Sequence, residues 1–173
     1  MTAPRSASPL MLALAVVAVG ASACAPTMPM TGSYVPVSTA FSAEAFGWST
    51  RSGQASIEGV VTYRRDGVAY GCTGSVALTP DTPYTRARFG TLYGQTDRAA
   101  VPEAVVRART VTDPNADYRS FVRSTTCANQ RFSFTGLPDG GWFVIAPVSA
   151  GGERIVLMQR VETRGGRIVT VTL

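Results

Sequence analysis

The sequence contains no histidine and no lysine, and it has only three cysteines among 173 residues. The absence of histidine excludes Ser-His-Asp and Cys-His catalysis, together with every zinc site that needs an imidazole ligand. All 16 basic residues are arginines, a bias that a GC-rich genome produces without selection for a binding site. The net charge of +5 is therefore no evidence for nucleic acid binding. We expect a protein that is not an enzyme and that has no catalytic residues, no metal and no cofactor.

The amino-terminal segment is apolar but short. Arg5 precedes an apolar run from Leu10 to Val19, and small residues fill positions 20–23 before Cys24. A run of about ten residues is too short to cross the ~30 Å hydrocarbon core of a bilayer as a helix, so it is typical of an export signal. Residues 1–23 are predicted to be a signal peptide, which is not part of the fold.

The end of this signal, GASAC at residues 20–24, resembles a bacterial lipobox. The resemblance implies that the Cys24 thiol receives a diacylglyceryl group, that the signal is removed, and that the new amino group is acylated, for instance with palmitate. Such acyl chains hold a protein on a membrane. Ala25 in place of Asp after the cysteine implies the outer membrane if the organism is Gram-negative. The alternative is an ordinary A-x-A cleavage site at residues 21–23, which cuts the same bond and leaves Cys24 unmodified.

Residues 24–53 are rich in proline and small polar residues, and their first charged residue is Glu44. This composition favours extended, flexible chain, so we expect a tether between the anchor and a folded domain. Phe41, Ala45 and Trp48 follow i, i+4, i+7 spacing, which is typical of a short helix or of a segment packed on the domain. This aromatic segment is either a docking motif for a partner or a clasp that covers one edge of the domain, and we favour the clasp.

Residues 54–173 are predicted to form one domain made of strands and turns. The strongest signal is RFSFTGLPDGGWFVIAPV, in which alternating phenylalanines, a glycine turn and a strand apolar on both faces follow one another. Apolar alternation also predicts a first strand with Ile57, Gly59, Val61 and Tyr63 on one face. The predicted strands and hairpins are Ala55–Arg64, Gly74–Thr79, Arg131–Val148 and Gly151–Leu173. This pattern predicts an all-β protein with a single Ig-like β-sandwich.

Two stretches of this domain, Ala55–Pro80 and Arg131–Leu173, resemble the carboxypeptidase regulatory-like domain, a transthyretin-like (prealbumin-like) β-sandwich of about seven strands. The recurring pattern of that family is a G-x-V first strand, a glycine turn into V-x-L-x-P, and later F-x-F-x-x-L-P-x-G-x-[YW]-x-V. The matching residues are Gly59, Val61, Gly67, Val76, Leu78, Pro80, Phe132, Phe134, Leu137, Pro138, Gly140, Trp142 and Val144. The resemblance implies the fold and an accessory, spacer or binding role.

The chain departs from this pattern in an insertion, residues 81–127, that is far longer than the usual connection. Tyr84–Leu92 fits an extended strand, Ala104–Val111 fits a strand and a short helix equally, and Asp113-Pro114-Asn115 predicts a turn. Insertions of this length are usually functional when they are ordered. We expect at least one extra hairpin within it and the most individual surface of the protein.

Eight arginines lie between residues 86 and 131. On strands, alternation would place Arg86 with Arg88, and Arg107 with Arg109, on the same side, where their guanidinium groups could bind phosphate or carboxylate. These four residues are a candidate anion-binding site, and an anionic envelope glycolipid or a cell-wall polymer would be its natural partner. Acidic residues are interleaved with them, so the alternative is a solvated face of mixed charge.

Cys72 and Cys127 form a pair once Cys24 is set aside. An exported protein meets an oxidising compartment, so we predict a disulfide bond between them that closes the insertion against the sandwich. The alternative is a catalytic thiol, which lacks a histidine base here.

Three aromatic residues, Trp142, Phe143 and Tyr63, are a candidate sugar-stacking platform. The alternative, which we favour for Trp142 and Phe143, is that they belong to the core. A glycan site elsewhere would need at least two exposed aromatic side chains on one surface. The candidates are Tyr84, Phe89, Tyr93, Tyr118 and Phe121.

The leading hypothesis is a non-catalytic, lipid-anchored protein of the cell envelope whose sandwich is a binding or structural module. Its partners would be the membrane, through the acyl chains, and an envelope protein or polysaccharide. The alternative function is a carbohydrate-binding module for a glycan or an anionic envelope polymer. The two hypotheses differ in whether aromatic side chains are presented to solvent.

Overall fold

The structure is a computed structural model that describes residues 38–111 and 117–173. The predicted signal peptide, Cys24 and the predicted turn at residues 113–115 lie outside the described residues. The strands are β1 (Ala55–Val60), β2 (Arg64–Arg65), β3 (Val68–Ala69), β4 (Gly71–Cys72), β5 (Ser75–Pro80), β6 (Arg98–Pro102), β7 (Arg123–Thr126), β8 (Arg131–Leu137), β9 (Gly140–Ala150), β10 (Glu153–Thr163) and β11 (Ile168–Thr172). The helices are α1 (Ala43–Phe46), α2 (Pro83–Tyr93) and α3 (Glu103–Ala108), with 3-10 helices at Gly47–Thr50 and Asp117–Phe121. None of the helices in the described part is long and apolar enough to cross a membrane.

The strands form two main sheets, which confirms the predicted all-β sandwich. The smaller sheet has the order β11-β1-β8, in which β1 pairs parallel with β11 and antiparallel with β8. The larger sheet has the order β6-β10-β9-β5-β7, and β4 adds to β9. Asp66 and Gly67, both with positive φ, form the turn that joins β2 to β3 in a separate small hairpin.

The core lies between the inner faces of the two sheets. Alternation along β1 buries Ala55, Ile57 and Gly59, and alternation along β8 buries Phe132 and Phe134. These residues meet the even-numbered side chains of β9, from Trp142 to Val148, in a single apolar cluster. Burial of these side chains supplies the main favourable free energy of folding.

Strand β9 is covered on both faces, as its continuous apolar sequence predicts. Its opposite face carries Phe143, which is fully buried in a second cluster with Phe89, Tyr93 and Met158. The rings of Phe89 and Phe143 meet edge to face with centroids 4.9 Å apart. Helix α2 therefore forms a third layer on the outer face of the larger sheet.

The prediction of a strand over Tyr84–Leu92 is wrong, because this segment forms α2. Thr82 caps the helix: its hydroxyl accepts a hydrogen bond from the Thr85 N–H, and the Thr85 hydroxyl accepts one from the Thr82 N–H. Pro83 occupies the first turn, where its missing N–H costs nothing. Gly94 ends the helix in the left-handed conformation, at φ 76°. These end signals determine the helix, and the predicted strand did not take them into account.

The rest of the insertion does not form the extra hairpin that was expected. The segment that fitted a strand and a helix equally begins with helix α3. Strand β6 pairs with β10 at one edge of the larger sheet, and β7 pairs with β5 at the other. The insertion therefore supplies both edge strands of the larger sheet instead of a hairpin of its own.

The predicted disulfide bond between Cys72 and Cys127 is confirmed. It joins β4 to the residue that follows β7, over a sequence separation of 55. The bond ties the end of the insertion to the larger sheet, as predicted.

Residues 38–53 of the predicted tether pack on the sandwich, as the clasp hypothesis requires. Phe46 is fully buried, and its ring lies 4.9 Å from that of Phe121. Trp48 meets Trp142 edge to face at 4.9 Å. The Nη2 of Arg123 donates a hydrogen bond of 2.8 Å to the carbonyl of Ser49. The packed region therefore begins before the boundary predicted at residue 53. It includes the aromatic segment of the predicted tether, for which a clasp was favoured.

Candidate functional site

Tyr63 follows the end of β1, and its half-buried ring lies between two cavities. The ring meets that of Tyr70 edge to face, with centroids 5.4 Å apart. The Tyr70 N–H also donates a hydrogen bond of 3.0 Å to the Tyr63 carbonyl. Tyr63 is therefore held by a neighbouring ring and by the backbone while part of its own ring stays accessible. We call the two cavities that share this residue the Tyr63 clefts.

Tyr70 is itself fixed by a carboxylate. Its phenolic O–H donates to Glu153, which also accepts a hydrogen bond of 2.8 Å from the Nη1 of Arg65. The hydrogen bond to Glu153, with some desolvation, raises the pKa of Tyr70, so the phenol stays protonated and remains a donor. Tyr70, whose ring packs on Tyr63, is thus held by charge-assisted hydrogen bonds in which the Glu153 carboxylate accepts from both Tyr70 and Arg65.

The first Tyr63 cleft has a volume of about 290 Å³ and opens between the edges of the two sheets. Apolar side chains of Leu157 and Leu173 line it beside Tyr63. Its polar groups are Arg98 and Gln159, which lie directly opposite each other where β6 pairs with β10. An apolar wall with a few planar hydrogen-bonding groups is typical of small-ligand sites.

Arg98 spans the mouth of this cleft. Its Nη2 donates to the Oε1 of Gln159 at 2.7 Å and to the carbonyl of Thr172 at 3.4 Å. Gln159 belongs to β10 of the larger sheet and Thr172 to β11 of the smaller one. One guanidinium therefore contacts both sheets at the point where the sandwich is open.

The second Tyr63 cleft, of about 370 Å³, is lined by Tyr70, Arg64 and Gln130 as well as Tyr63. The Oε1 of Gln130 accepts a hydrogen bond of 2.8 Å from the Cys72 N–H, which orients its amide. The Nη2 of Arg64 donates to the carbonyl of Gly67 at 2.7 Å. Amide and guanidinium groups held in this way can donate to the hydroxyl oxygens of a ligand.

Within the described residues, no aspartate, glutamate or cysteine side chain lines either Tyr63 cleft. The side chains present can stack on an apolar ligand face and donate hydrogen bonds to oxygen atoms. The described residues also contain no group of three or more His, Cys, Asp or Glu side chains that could hold a metal ion.

A further groove of about 430 Å³ lies on the outer face of the smaller sheet. Glu58 and Arg131 line it together with serine and threonine hydroxyls, and its one aromatic residue, Phe132, is buried. This groove offers hydrogen bonds without an accessible ring. It is therefore less suited than the Tyr63 clefts to a ligand that has both apolar and polar faces.

The predicted anion-binding arginines are not arranged as predicted. Arg86 and Arg88 lie on α2, where two positions differ by about 200° around the helix axis, so the expected common strand face does not exist. Arg107 lies on α3, and Arg109 follows its end. The premise of that prediction is wrong because both pairs lie in or beside helices.

Each of these four side chains contacts another part of the insertion. Arg86 binds Asp81 through two hydrogen bonds, which raise the pKa of its guanidinium, and the guanidinium of Arg88 lies 4.8 Å from the ring centroid of Tyr118. Arg107 binds Glu103 one helical turn earlier, and the Nη1 of Arg109 donates to the carbonyl of Leu92 at 2.7 Å. The hydrogen bond from Arg107, with the positive charges of Arg107 and Arg154, lowers the pKa of Glu103. These contacts stabilise the insertion and do not bring the four residues to one site.

The aromatic residues proposed for sugar stacking separate into two groups. Trp142 and Phe143 are fully buried, which confirms the core alternative. Tyr84, Phe89 and Tyr93 are buried as well, whereas Tyr118 and Phe121 are half-buried against the clasp and α2. The surface of two exposed aromatic residues that a glycan site was expected to need is not formed by these five. Tyr63 is the member of the original platform that remains accessible.

The sequence did not reveal the polar residues of the Tyr63 clefts. Arg98 and Gln159 are 61 positions apart and meet only because β6 pairs with β10. Gln130 reaches its place through a tight turn in which it and Asn129 have positive φ, 62° and 51°. The available signal was that Gln159 lies within the predicted hairpin Gly151–Leu173 and that Arg98 follows the segment Tyr84–Leu92, which was predicted as a strand. These positions do not predict that the two residues pair.

No family model matches the chain, and no curated protein matches it. Among solved structures, the chain is similar to the crystal structure described as that of "a putative carbohydrate binding protein" from Pseudomonas aeruginosa. The two share 21% sequence identity and a TM-score of 0.55, over 77% of this chain and 97% of the other. A similarity of this degree shows that the two proteins share a fold.

Proposed function

We propose that this chain is a non-catalytic β-sandwich module of the cell envelope that binds saccharide in the Tyr63 clefts. The observation that carries the proposal is the position of Tyr63, a half-buried ring shared by two cavities and flanked by Arg98, Gln159 and Gln130. A pyranose has an apolar C–H face and a polar edge. The ring of Tyr63 can cover the first, and the planar side chains can bind the hydroxyl groups of the second.

Two further observations support saccharide binding. The structural neighbour from Pseudomonas aeruginosa bears a name that refers to carbohydrate binding, and it shares the fold over most of both chains. The resemblance of β1, β5, β8 and β9 to the carboxypeptidase regulatory-like domain is part of the proposal, since such domains serve as accessory or binding modules. Among the described residues, no aspartate or glutamate side chain lines the Tyr63 clefts, and glycoside hydrolysis uses a pair of such side chains, so the lining favours binding over hydrolysis.

The proposed location is the cell envelope, with a lipid anchor on Cys24. The disulfide bond between Cys72 and Cys127 supports export, because such bonds persist in oxidising compartments. It also uses two of the three cysteines and leaves Cys24 for the lipobox. The test is the intact mass of the amino-terminal peptide of the protein purified from the membrane fraction. A peptide that begins at Cys24 and carries no acyl chains would show that the signal is removed by ordinary cleavage and that the protein has no lipid anchor.

Saccharide binding is tested with Tyr63→Ala in the full chain. The protein is first applied to an array of neutral and acidic oligosaccharides, and the ligands found are then measured by isothermal titration calorimetry. Loss of the ring is expected to weaken binding roughly tenfold, whereas Tyr63→Phe, which keeps the ring, should bind nearly as well as the wild type.

The matched control is Tyr118→Ala. Tyr118 is also a half-buried tyrosine, but it packs on Tyr84 and Arg88 and lines neither cleft. If Tyr63→Ala and Tyr118→Ala weaken binding equally, the ligand does not occupy the Tyr63 clefts. If the wild type binds no oligosaccharide on the array, the proposed function is wrong.

A further inference from the structure

We propose that the Tyr63 clefts select acidic saccharides and that Arg98 binds the carboxylate of a uronic acid. This inference rests on the saccharide-binding function proposed above and adds the class of sugar. It follows from the donors that Arg98 keeps and from the sign of the charges around the clefts.

Arg98 keeps donors that no described residue uses. Both of its hydrogen bonds, to Gln159 and to the Thr172 carbonyl, use Nη2. Its Nε and Nη1 make no hydrogen bond, and the side chain forms no ion pair, with any described residue. The unused Nε–H and Nη1–H can each donate a charge-assisted hydrogen bond to a carboxylate oxygen. The contacts through Nη2 fix the guanidinium beside the first cleft.

The charges around the clefts are positive. Among the described residues, the cleft linings contain two charged side chains, Arg98 and Arg64, and both are basic. Glu153, whose carboxylate meets Tyr70, is already bound by Arg65. An acidic sugar placed on Tyr63 would therefore meet arginine without a competing acidic side chain in the lining. A neutral sugar would gain only hydrogen bonds to its hydroxyl groups, which are weaker than charge-assisted ones.

The inferred role of Arg98 differs from that of the arginines in the insertion. Arg86 and Arg107 already bind carboxylates of this chain, so their charges are compensated. Arg98 has no such partner among the described residues and is exposed. A hydrogen bond to a charged group contributes a factor of about 10 to 100 in affinity, which sets the size of the expected preference.

The experiment compares each acidic oligosaccharide with its own methyl ester, which keeps the sugar and removes the charge. The probes are uronate trisaccharides of gluco, galacto and manno configuration, and the full chain is titrated with both forms by calorimetry. The acid of at least one configuration should bind about tenfold or more tightly than its ester, and the difference should shrink as salt is raised. Arg98→Gln should abolish the preference, so that the acid and its ester bind this variant with affinities within about twofold of each other.

Arg167→Gln is the matched control, because it removes the same net charge from an exposed arginine that lines neither cleft. It should keep the preference for the acid. Arg98→Lys, which keeps the charge but loses the fixed Nε–H and Nη1–H donors, should give an intermediate preference. It also provides the readout if Arg98→Gln fails to fold.

The possible failures are distinguishable. Equal affinity for acid and ester, with binding that still depends on Tyr63, would overturn this inference and leave the proposed function standing. A preference for the acid that survives Arg98→Gln would remove the role of Arg98. If neither form binds and no neutral oligosaccharide binds on the array, both proposals are wrong.

Discussion

The Nε of Arg160 donates a hydrogen bond of 2.5 Å to the Oδ2 of Asp81, across 79 positions of the chain. Arg86 binds the same carboxylate from α2, with its Nε and Nη2 at 2.5 and 2.7 Å from the two oxygens. The Asp81 side chain is only 1% exposed. The space beside it exists because residue 141 is glycine: a Cβ there would lie 2.7 Å from the Oδ2 of Asp81. One buried carboxylate thus joins the start of the insertion to strand β10.

Replacing this carboxylate with a neutral amide, in Asp81→Asn, should destabilise the fold. Two guanidinium groups would lose their anion, and removal of one partner from a buried ion pair costs about 3–5 kcal/mol. Arg86 and Arg160 are 54% and 30% exposed, so water can compensate part of the loss. We therefore expect the free energy of unfolding to fall by about 2 kcal/mol, measured by urea denaturation.

The control for Asp81→Asn is Glu162→Gln. Glu162 pairs with Arg164, but both side chains are exposed, at 47% and 79%. Exposed pairs contribute little, so this variant should unfold at nearly the same urea concentration as the wild type. An Asp81→Asn variant as stable as this control would show that the buried carboxylate does not fix the insertion.

The strands of the sandwich could be predicted because their signals are local. Ile57 and Gly59 alternate with outward-facing residues in β1, and Phe132 and Phe134 do so in β8. The continuous apolar sequence of β9 also predicts burial on both faces, which needs a cover on the outer side. The sequence does not show what that cover is, and it is α2.

Helix α2 shows why a local reading failed in the insertion. The helix presents Phe89 and Tyr93, spaced i, i+4, to the outer face of the larger sheet. The residues between Tyr84 and Leu92 were predicted as an extended strand, but the deciding signals are at the ends, in Thr82-Pro83 and Gly94. The Tyr63 clefts could not be predicted for a different reason, because the residues that line them are brought together only by pairing between distant strands.

Gly59→Ala is expected to destabilise the core. A Cβ at this position would lie 1.9 Å from the Cζ of Phe132, which is opposite Gly59 on β8, the neighbouring strand of the same sheet. The ring cannot move without disturbing the packing around it, and overpacking of this kind costs about 1–3 kcal/mol or more. The loss should appear as a lower midpoint in urea denaturation.

The control for this variant is Gly47→Ala, because a Cβ at Gly47 has no neighbour within 4 Å and its φ is −54°. This substitution should leave stability unchanged or raise it by up to about 1 kcal/mol. Partial rescue of Gly59→Ala by the second substitution Phe132→Leu would identify the ring as the cause. Equal midpoints for the two alanine variants would contradict the close packing of β1 on β8.

Removal of the disulfide bond, in the double variant Cys72→Ala/Cys127→Ala, is expected to destabilise the protein. The loop that the bond closes has a sequence separation of 55, for which the chain-entropy estimate is about 4 kcal/mol. Reductant should lower the unfolding midpoint of the wild type toward that of the double variant and should not affect the double variant itself. A wild type whose midpoint is the same with and without reductant would show that the bond contributes little.

Tyr93→Phe should alter the pH dependence of stability at alkaline pH. Burial, the main cause, raises the pKa of Tyr93 from 10.0 to about 12. Because the folded pKa is the higher one, the unfolded chain loses the phenolic proton first. The stability linked to this proton is therefore complete below pH 10 and is lost as the pH rises toward 12.

The measurement is urea denaturation of wild type and Tyr93→Phe from pH 8 to pH 12. Over the upper two pH units, the wild type should lose up to about 1.4 kcal/mol per pH unit more than the variant. The pKa of Tyr70 is also raised, but Tyr70 is present in both proteins, so the difference between the curves isolates Tyr93. Parallel curves up to pH 12 would mean that the Tyr93 hydroxyl reaches water in the folded state, and that α2 does not seal the second apolar cluster.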